Sequence, residues 1–125
     1  MDLIEAAKQG DIAAVSNALE KDAYIDFQDN DRATALMYAS MHGHIEIVKF
    51  LIEKGAYINV KNTWAGWTAL IYSSMNGHTE TARLLIEKGA DVYAKDNDNK
   101  TALMHASARG HTETVSTLKT VQTKE

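Results

Sequence analysis

The chain has 125 residues, of which 45% are hydrophobic and 24% charged, a composition typical of one globular domain and not of a disordered or membrane-spanning chain. It has no cysteine, which excludes disulfides, thiolate metal ligands and cysteine nucleophiles. The net charge of -4 argues against nucleic-acid binding, and the charged residues near the N-terminus argue against a secretory signal. We therefore expect a cytoplasmic protein that contacts neither nucleic acid nor membrane.

The first segment of the chain is a degenerate copy of a pattern that recurs in the rest of it. Each later copy begins with Thr-Ala-Leu, at Thr34, Thr68 and Thr101. A Gly-His pair follows in each copy, at Gly43, Gly77 and Gly110. The spacing is 34 and then 33 residues, and a fixed period of this length predicts a stack of similar supersecondary units. One domain over 1–125 is predicted, with copies at 1–25, 26–58, 59–92 and 93–125.

Each full copy predicts two short helices. The threonine suits the N-cap of the first helix, and the glycine of the Gly-His pair ends that helix. The second helix has a glutamate in its first turn and, in the two middle copies, a Lys-Gly pair at its end. Apolar residues at i, i+3 and i+4, such as Val48, Leu51 and Ile52, give it one buried stripe. Helices this short are marginal alone, so stability must come from stacking.

The two ends of the array differ from its middle in polarity. Phe50 and Leu84 of the middle copies are replaced by Asn17 in the first copy and Thr117 in the last. The ends of a stacked array need polar outer faces. We therefore expect the terminal copies to be caps and the four copies to form the whole solenoid.

The pattern resembles the ankyrin repeat, most clearly in the segments TALMYASMHGHIEIVKFLIEKGA (34–56) and TETARLLIEKGADV (79–92). The resemblance implies an all-α repeat solenoid of stacked helix-turn-helix units joined by β-hairpin-like loops, and a protein-binding function without catalysis. Where the family has Thr-Pro-Leu-His, this chain has Thr-Ala-Leu followed by Met or Ile, which predicts a less rigid first turn. The family's hairpin glycine is kept at Gly66, whereas Arg32 and Asn99 hold the matching places.

The third copy has one extra residue between Gly55 and Thr68, in a segment that holds both tryptophans, Trp64 and Trp67. An insertion at a hairpin tip disturbs no packed element. Large apolar groups on such a tip indicate a surface that something covers.

The resemblance also implies a concave binding face, made of the hairpin tips and the inner helix of each pair. The partner-binding residues predicted on this face are Trp64, Trp67, Tyr38, Tyr72, Met41, Met75, His42, Lys61, Asn76, Lys100 and Arg109. We expect Met41 and Met75 to be exposed. Two alternatives stay open for Tyr38 and Tyr72, which either face a partner or pack between neighbouring helices. Likewise, Trp67 either faces the partner or anchors its own loop.

The remaining polar residues predict no chemistry. His44, His78 and His111 recur in register with the turn between the two helices, so we interpret them as structural side chains that bridge adjacent loops. No spacing of histidines and carboxylates is typical of a metal site, and no motif supplies a nucleophile with a base or a phosphate-binding loop. We expect no cofactor and no enzymatic activity.

Two other functions are compatible with the same residues. The tip with Trp64 and Trp67 could join two copies of the chain into a homodimer. It could instead stack on a nucleotide base or another small molecule while Lys61 or Lys95 meets a phosphate. Binding of a partner protein on the concave face is the favoured interpretation, because aromatic and methionine side chains are enriched at the centres of protein interfaces.

Overall fold

The computed structural model describes residues 1–123, which contain eight α-helices and no β-strand. The helices are α1 (Leu3–Gln9), α2 (Ile12–Glu20), α3 (Ala35–Met41), α4 (Ile45–Glu53), α5 (Ala69–Met75), α6 (Thr79–Glu87), α7 (Ala102–Ala108) and α8 (Thr112–Thr123). The odd-numbered helices form an inner row, in which each contacts the next, and the even-numbered helices form an outer row. The all-α repeat solenoid predicted from the sequence is confirmed.

The inner helices begin where their threonines predict. The hydroxyls of Thr34, Thr68 and Thr101 accept hydrogen bonds from backbone N–H groups three residues later, at 3.3, 3.2 and 3.4 Å. Each such bond satisfies one of the backbone donors that a helix N-terminus leaves free. A glycine with positive φ follows each of these helices and ends it. Local chemistry therefore fixes the ends of helices that are only seven residues long.

The space between the two rows is filled with apolar side chains. The largest fully buried residues of this core come from helices of both rows: Leu36, Ile47, Leu51, Leu70, Ile71, Leu85 and Leu118. Alanines with no exposed surface let the helices approach closely, among them Ala39 and Ala82. Because no single helix pair could bury this surface, the core exists only through stacking. No helix within residues 1–123 is long and apolar enough to span a bilayer.

The histidines of the Gly-His pairs bridge successive copies, as predicted. The Nε2 atoms of His78 and His111 lie 3.0 Å from the carbonyl oxygens of Met41 and Met75. A carbonyl only accepts, so Nε2 carries the hydrogen in both. The rings lie directly under the glycines of the preceding copy. A Cβ at Gly43, whose φ is +69°, would lie 2.7 Å from Nδ1 of His78.

Two buried hydroxyls in the inner row have no hydrogen-bond partner within residues 1–123. They belong to Ser40 and Ser74, which occupy the same register on α3 and α5. A buried polar group without a partner loses its hydration and gains nothing in return. Both side chains therefore subtract from the stability of the fold.

We expect the substitutions Ser40→Ala and Ser74→Ala each to raise the free energy of unfolding by about 1 kcal/mol. The gain has two sources, namely relief of the unpaired hydroxyl and the better helix propensity of alanine. Ser107→Ala is the matched control, because Ser107 holds the same register on α7 and is exposed, so only the propensity gain of about 0.5 kcal/mol remains. Denaturant unfolding followed by far-UV circular dichroism measures all three. A loss of stability in the first two variants would show that the hydroxyls are paired in solution.

The last inner helix, α7, is less covered than the inner helices in the middle of the row. Met104 of α7 holds the register of Met37 on α3 and Ile71 on α5, which are 1% exposed, yet Met104 is 50% exposed. The earlier two side chains are covered by the copy that follows each of them, and no further inner helix follows α7 within residues 1–123. The outer surface of α8, in contrast, carries the polar Lys119, as a cap requires.

Candidate functional site

The three hairpin tips, residues 28–33, 61–67 and 95–100, are each organised by one polar side chain. Asp29 and Asp96 accept two backbone N–H bonds each through Oδ1, and Asn62 does the same in the longer second tip, all at 2.9 to 3.2 Å. These bonds hold the chain in a turn whose left-handed residue is Arg32, Gly66 or Asn99, with φ of 60°, 75° and 62°. Arg32 and Asn99 therefore adopt a backbone conformation that glycine adopts more readily.

The same three side chains tie each tip to the inner helix beside it. The hydroxyl of Tyr38 donates to Oδ2 of Asp29, Nδ2 of Asn62 donates to the hydroxyl of Tyr72 at 2.7 Å, and Nε2 of His105 lies 2.7 Å from Oδ2 of Asp96. Each tip is thus cross-linked to the middle of an inner helix by a hydrogen bond. This cross-link makes the tips and the inner helices one continuous rigid surface.

Asp96 is the most heavily bonded of these organisers. It is 6% exposed and accepts from His105, from Nε1 of Trp67 at 2.9 Å and from the backbone N–H groups of Asp98 and Lys100. Burial acts to raise the pKa of Asp96, but these four hydrogen bonds outweigh it and lower the pKa to about 2. The carboxylate is therefore charged at neutral pH and holds three elements together: the second tip, the third tip and α7.

The second tip, which carries the inserted residue, is also fixed by its neighbours on both sides. The N–H of Thr63 donates to the carbonyl of Asp31 at 3.3 Å, and the N–H of Asn97 donates to the carbonyl of Ala65 at 2.9 Å. The amide of Asn97 also donates to the carbonyl of Trp64 at 3.2 Å. A Cβ at Gly66 would lie 2.6 Å from Oδ1 of Asn97, so glycine is needed at this close approach. The tip is thus rigid although it is longer than the others.

The two tryptophans of this tip have different environments. Trp67 is half-buried, and its ring meets Tyr72 and His105 edge to face at centroid distances of 5.4 and 5.9 Å. Trp67 therefore anchors its loop, which is one of the two alternatives that the sequence left open. Trp64 packs against Trp67 at 5.0 Å and remains 60% exposed. It is a large apolar side chain held in solvent by a rigid support.

The structure corrects the expected exposure on α5. Met75 was expected to be exposed, and this is wrong, because it is 5% exposed. Tyr72 is 6% exposed and packs between neighbouring elements. α5 lies between α3 and α7, and Tyr72 is covered in addition by the half-buried Trp67, whose ring centroid lies 5.4 Å away. The flanking helices alone do not account for this, because α3 lies between α1 and α5 and its Tyr38 and Met41 are only half-buried. Burial raises the pKa of Tyr72, which stays protonated. Neither side chain offers a large surface to a partner.

The other predicted residues on the inner helices are at least partly accessible. His42 and Asn76 are exposed, and Tyr38 is half-buried. Met41 was expected to be exposed but is half-buried, because it packs against Met37 and Tyr72. The ammonium of Lys8 lies 4.7 Å above the ring centroid of Tyr38. Burial and then the bond to Asp29 raise the pKa of Tyr38. Partial burial, and then the charges of His44, His78 and Lys8, lower the pKa of His42.

The predicted cations Lys61, Lys100 and Arg109 are exposed. Nζ of Lys61 donates to the carbonyl of Lys95 in the next tip at 2.8 Å. Within residues 1–123 none of these cations forms an ion pair, whereas Arg83 pairs with Glu80 in the outer row. The ammonium groups of the tips are therefore free to meet a carboxylate from outside the chain.

Sequence reasoning overlooked two kinds of residue, one at this site and one at the open end of the inner row. The first are the organisers Asp29, Asn62 and Asp96, whose signal is visible in hindsight as a polar residue shortly before each capping threonine. The second is Met104, whose exposure follows from its register in the last copy. Within residues 1–123 no group of three or more histidines and carboxylates is arranged to hold a metal ion.

Comparisons with known proteins agree with this architecture. A family model described as ankyrin repeats, in three copies, matches residues 3–96 and again 55–124. The chain is 44% identical to the serine/threonine-protein kinase VIK of Arabidopsis thaliana over 59 residues, which is 46% of this chain and 14% of the kinase. It is 36% identical over 61 residues to the ankyrin repeat and KH domain-containing protein mask-1 of Caenorhabditis elegans, covering 49% of this chain and 2% of that protein.

A further relative is the human ankyrin repeat family A protein 2, which is 35% identical over 52 residues, or 42% of this chain and 17% of the relative. The chain therefore spans less than a fifth of each of these relatives. What they share with it is the repeat itself, because the matches lie in segments of 52 to 61 residues. Together with the eight stacked helices, the match along nearly the whole sequence shows that the chain belongs to the ankyrin-repeat family.

Proposed function

We propose that this chain recognises a partner protein on the face formed by its hairpin tips and inner helices, with Trp64 as the principal anchor. Ankyrin repeats in general are protein-interaction modules, and family membership carries that broad expectation. The finer assignment is carried by a single observation, the 60% exposure of Trp64 on a tip that its neighbours hold in place.

Rigid presentation matters because binding costs conformational entropy wherever it orders a flexible segment. A flexible loop must be ordered when it binds, whereas a tip fixed by bonds to Asp31 and Asn97 is already ordered. Tryptophan is also the residue most enriched among the few that dominate interface energetics. Tyr38, Met41 and His42 lie on the neighbouring inner helix and supply additional contact area, while Tyr72 and Met75 support the surface from beneath.

The test is quantitative affinity capture with three immobilised baits: the unchanged chain, Trp64→Ala and Tyr57→Ala. Tyr57 is the matched control, because it is a similarly exposed aromatic, 66% against 60%, outside the hairpin tips. We expect Trp64→Ala to lower recovery of the captured partner at least about tenfold and Tyr57→Ala to leave it unchanged. Equal recovery on all three baits would remove Trp64 from the interface.

Self-association is checked with the same variants. Sedimentation velocity at increasing protein concentration shows whether the exposed indole joins two copies of the chain. A dimer that dissociates in Trp64→Ala and persists in Tyr57→Ala would assign the tip to homodimer formation and contradict the assignment to another protein.

A further inference from the structure

The charges around Trp64 indicate the chemistry of what covers it. The second and third tips, residues 61–67 and 95–100, hold three lysines and two aspartates. One of the aspartates, Asp96, is buried and fully engaged with His105, Trp67 and two backbone amides. Solvent therefore meets three ammonium groups and the single carboxylate of Asp98 on these two tips.

The three lysines belong to one surface. Lys61 reaches across to the carbonyl of Lys95 at 2.8 Å, so its ammonium group lies at the base of the third tip. Lys100 ends that tip, and its backbone N–H is bonded to Asp96 at 2.9 Å. The carbonyl of Trp64 is bonded to Asn97, which lies between Lys95 and Lys100 in the chain. The exposed indole and the three lysines are thus carried by the same pair of tips.

The rest of the chain has the opposite sign. The whole chain carries -4, and these two tips carry three positive and two negative charges, so the remaining residues carry -5. The first tip, residues 28–33, holds Asp29, Asp31 and Arg32 and therefore carries -1, so the positive excess is confined to the second and third tips. A molecule that carries negative charge is therefore repelled by most of the surface and attracted at the second and third tips.

We propose that the surface formed by Trp64, Lys61, Lys95 and Lys100 binds an acidic segment of a partner protein, in which aspartates or glutamates flank an apolar side chain. The inference rests on the proposed function and adds the chemistry of the partner to it. The apolar side chain covers the indole of Trp64, and the carboxylates meet the ammonium groups that have no ion pair within residues 1–123. A polynucleotide fits less well, because binding along a phosphate backbone needs a longer run of cations without the carboxylates of Asp31 and Asp98.

The experiment begins with a library of random linear peptides displayed on phage and selected on the immobilised, unchanged chain. We expect the selected peptides to be enriched in Asp and Glu around an aromatic or aliphatic residue. One selected peptide, labelled with fluorescein, then serves as the probe for affinity measurements by fluorescence anisotropy.

The charge-reversal variant Lys95→Glu/Lys100→Glu tests the cations directly, because neither side chain makes a hydrogen bond or ion pair with another of the described residues 1–123. We expect this variant to bind the peptide probe at least about tenfold more weakly than the unchanged chain does. Raising the salt concentration from about 0.1 M to about 0.5 M should lower the affinity of the unchanged chain for the probe by a similar factor. Lys49→Glu/Lys119→Glu is the matched control, since it makes the same charge change on exposed positions of α4 and α8. It should shift the affinity less than about twofold.

The outcomes separate this inference from the proposed function. Selected peptides that are neutral or basic, yet lose affinity for Trp64→Ala, would overturn the acidic partner and leave the interaction face intact. Acidic peptides that bind Trp64→Ala and Lys95→Glu/Lys100→Glu as well as they bind the unchanged chain would overturn both. A single-stranded oligonucleotide that binds as tightly as the peptide, and loses affinity in Lys95→Glu/Lys100→Glu, would replace the acidic segment with nucleic acid.

Discussion

Replacing Asp96 with alanine is expected to lower the free energy of unfolding by about 3 kcal/mol. The change would leave the indole N–H of Trp67, the ring of His105 and two backbone N–H groups without an acceptor at a site where Asp96 is 6% exposed. Each buried donor that is left without an acceptor lowers the stability of the folded protein by about 1–3 kcal/mol, and relaxation of the third tip recovers part of this loss.

Two variants make this prediction specific. Asp98→Ala is the control, because Asp98 is an exposed carboxylate two residues away and should change stability by less than about 0.5 kcal/mol. Asp96→Asn should fall between them, at about 2 kcal/mol, because the amide oxygen can still accept from the backbone, whereas its NH2 group faces the N–H donor of Trp67. Denaturant unfolding gives all three values. If Asp96→Ala proved as stable as Asp98→Ala, the third tip would not depend on this carboxylate.

The same carboxylate makes the free energy of unfolding depend on pH in the acidic range. Because the pKa of Asp96 is lowered from 3.8 to about 2 on folding, the folded state binds its proton less readily than the unfolded state. The resulting stabilisation, about 2 kcal/mol, is complete above about pH 4 and is lost as the pH falls towards 2. Stability of Asp96→Asn should therefore decline less over this range. Parallel pH profiles of the two proteins would contradict this.

Truncating Met37 is expected to lower the free energy of unfolding by about 3 kcal/mol, whereas the same truncation of Met104 should change it by less than about 0.5 kcal/mol. The two methionines hold the same register on α3 and α7, and differ in exposure, 1% against 50%. Met37 packs with Ala33 and Tyr72 beneath the second tip, so Met37→Ala leaves a cavity there. Met104→Ala removes surface that is already half in water.

Thermal and denaturant unfolding of Met37→Ala and Met104→Ala provide the comparison, with the same chemical change in each. Equal destabilisation would show that the open side of α7 is covered in solution. Repeating the measurement at several protein concentrations would then reveal whether a second copy provides the cover, because stability that depends on association rises with concentration.

Much of the candidate site could not be placed from sequence, although the face itself could be expected from the resemblance. Trp64 and the cations Lys61, Lys100 and Arg109 are exposed, so they remain available for the role predicted for them. Met75 and Tyr72 are buried, and Tyr72 is covered by Trp67 of the second tip, whereas Tyr38 in the same register of α3 is half-buried. A periodicity argument describes one helix at a time, so it does not include cover that comes from a neighbouring loop.

The sequence by itself determined the repeat period, the ends of the helices and the bridging role of the histidines. These features depend on chemistry within a few residues or on exact recurrence: a threonine that caps, a glycine that adopts positive φ, and a histidine at a fixed register. Only the tertiary structure decided which of two tryptophans anchors its loop and which is exposed. That choice depends on Asp96, which lies 29 residues after Trp67 in the chain. The carboxylate of Asp96 accepts a hydrogen bond from the indole of Trp67 and holds it in place, whereas Trp64 stays exposed to solvent.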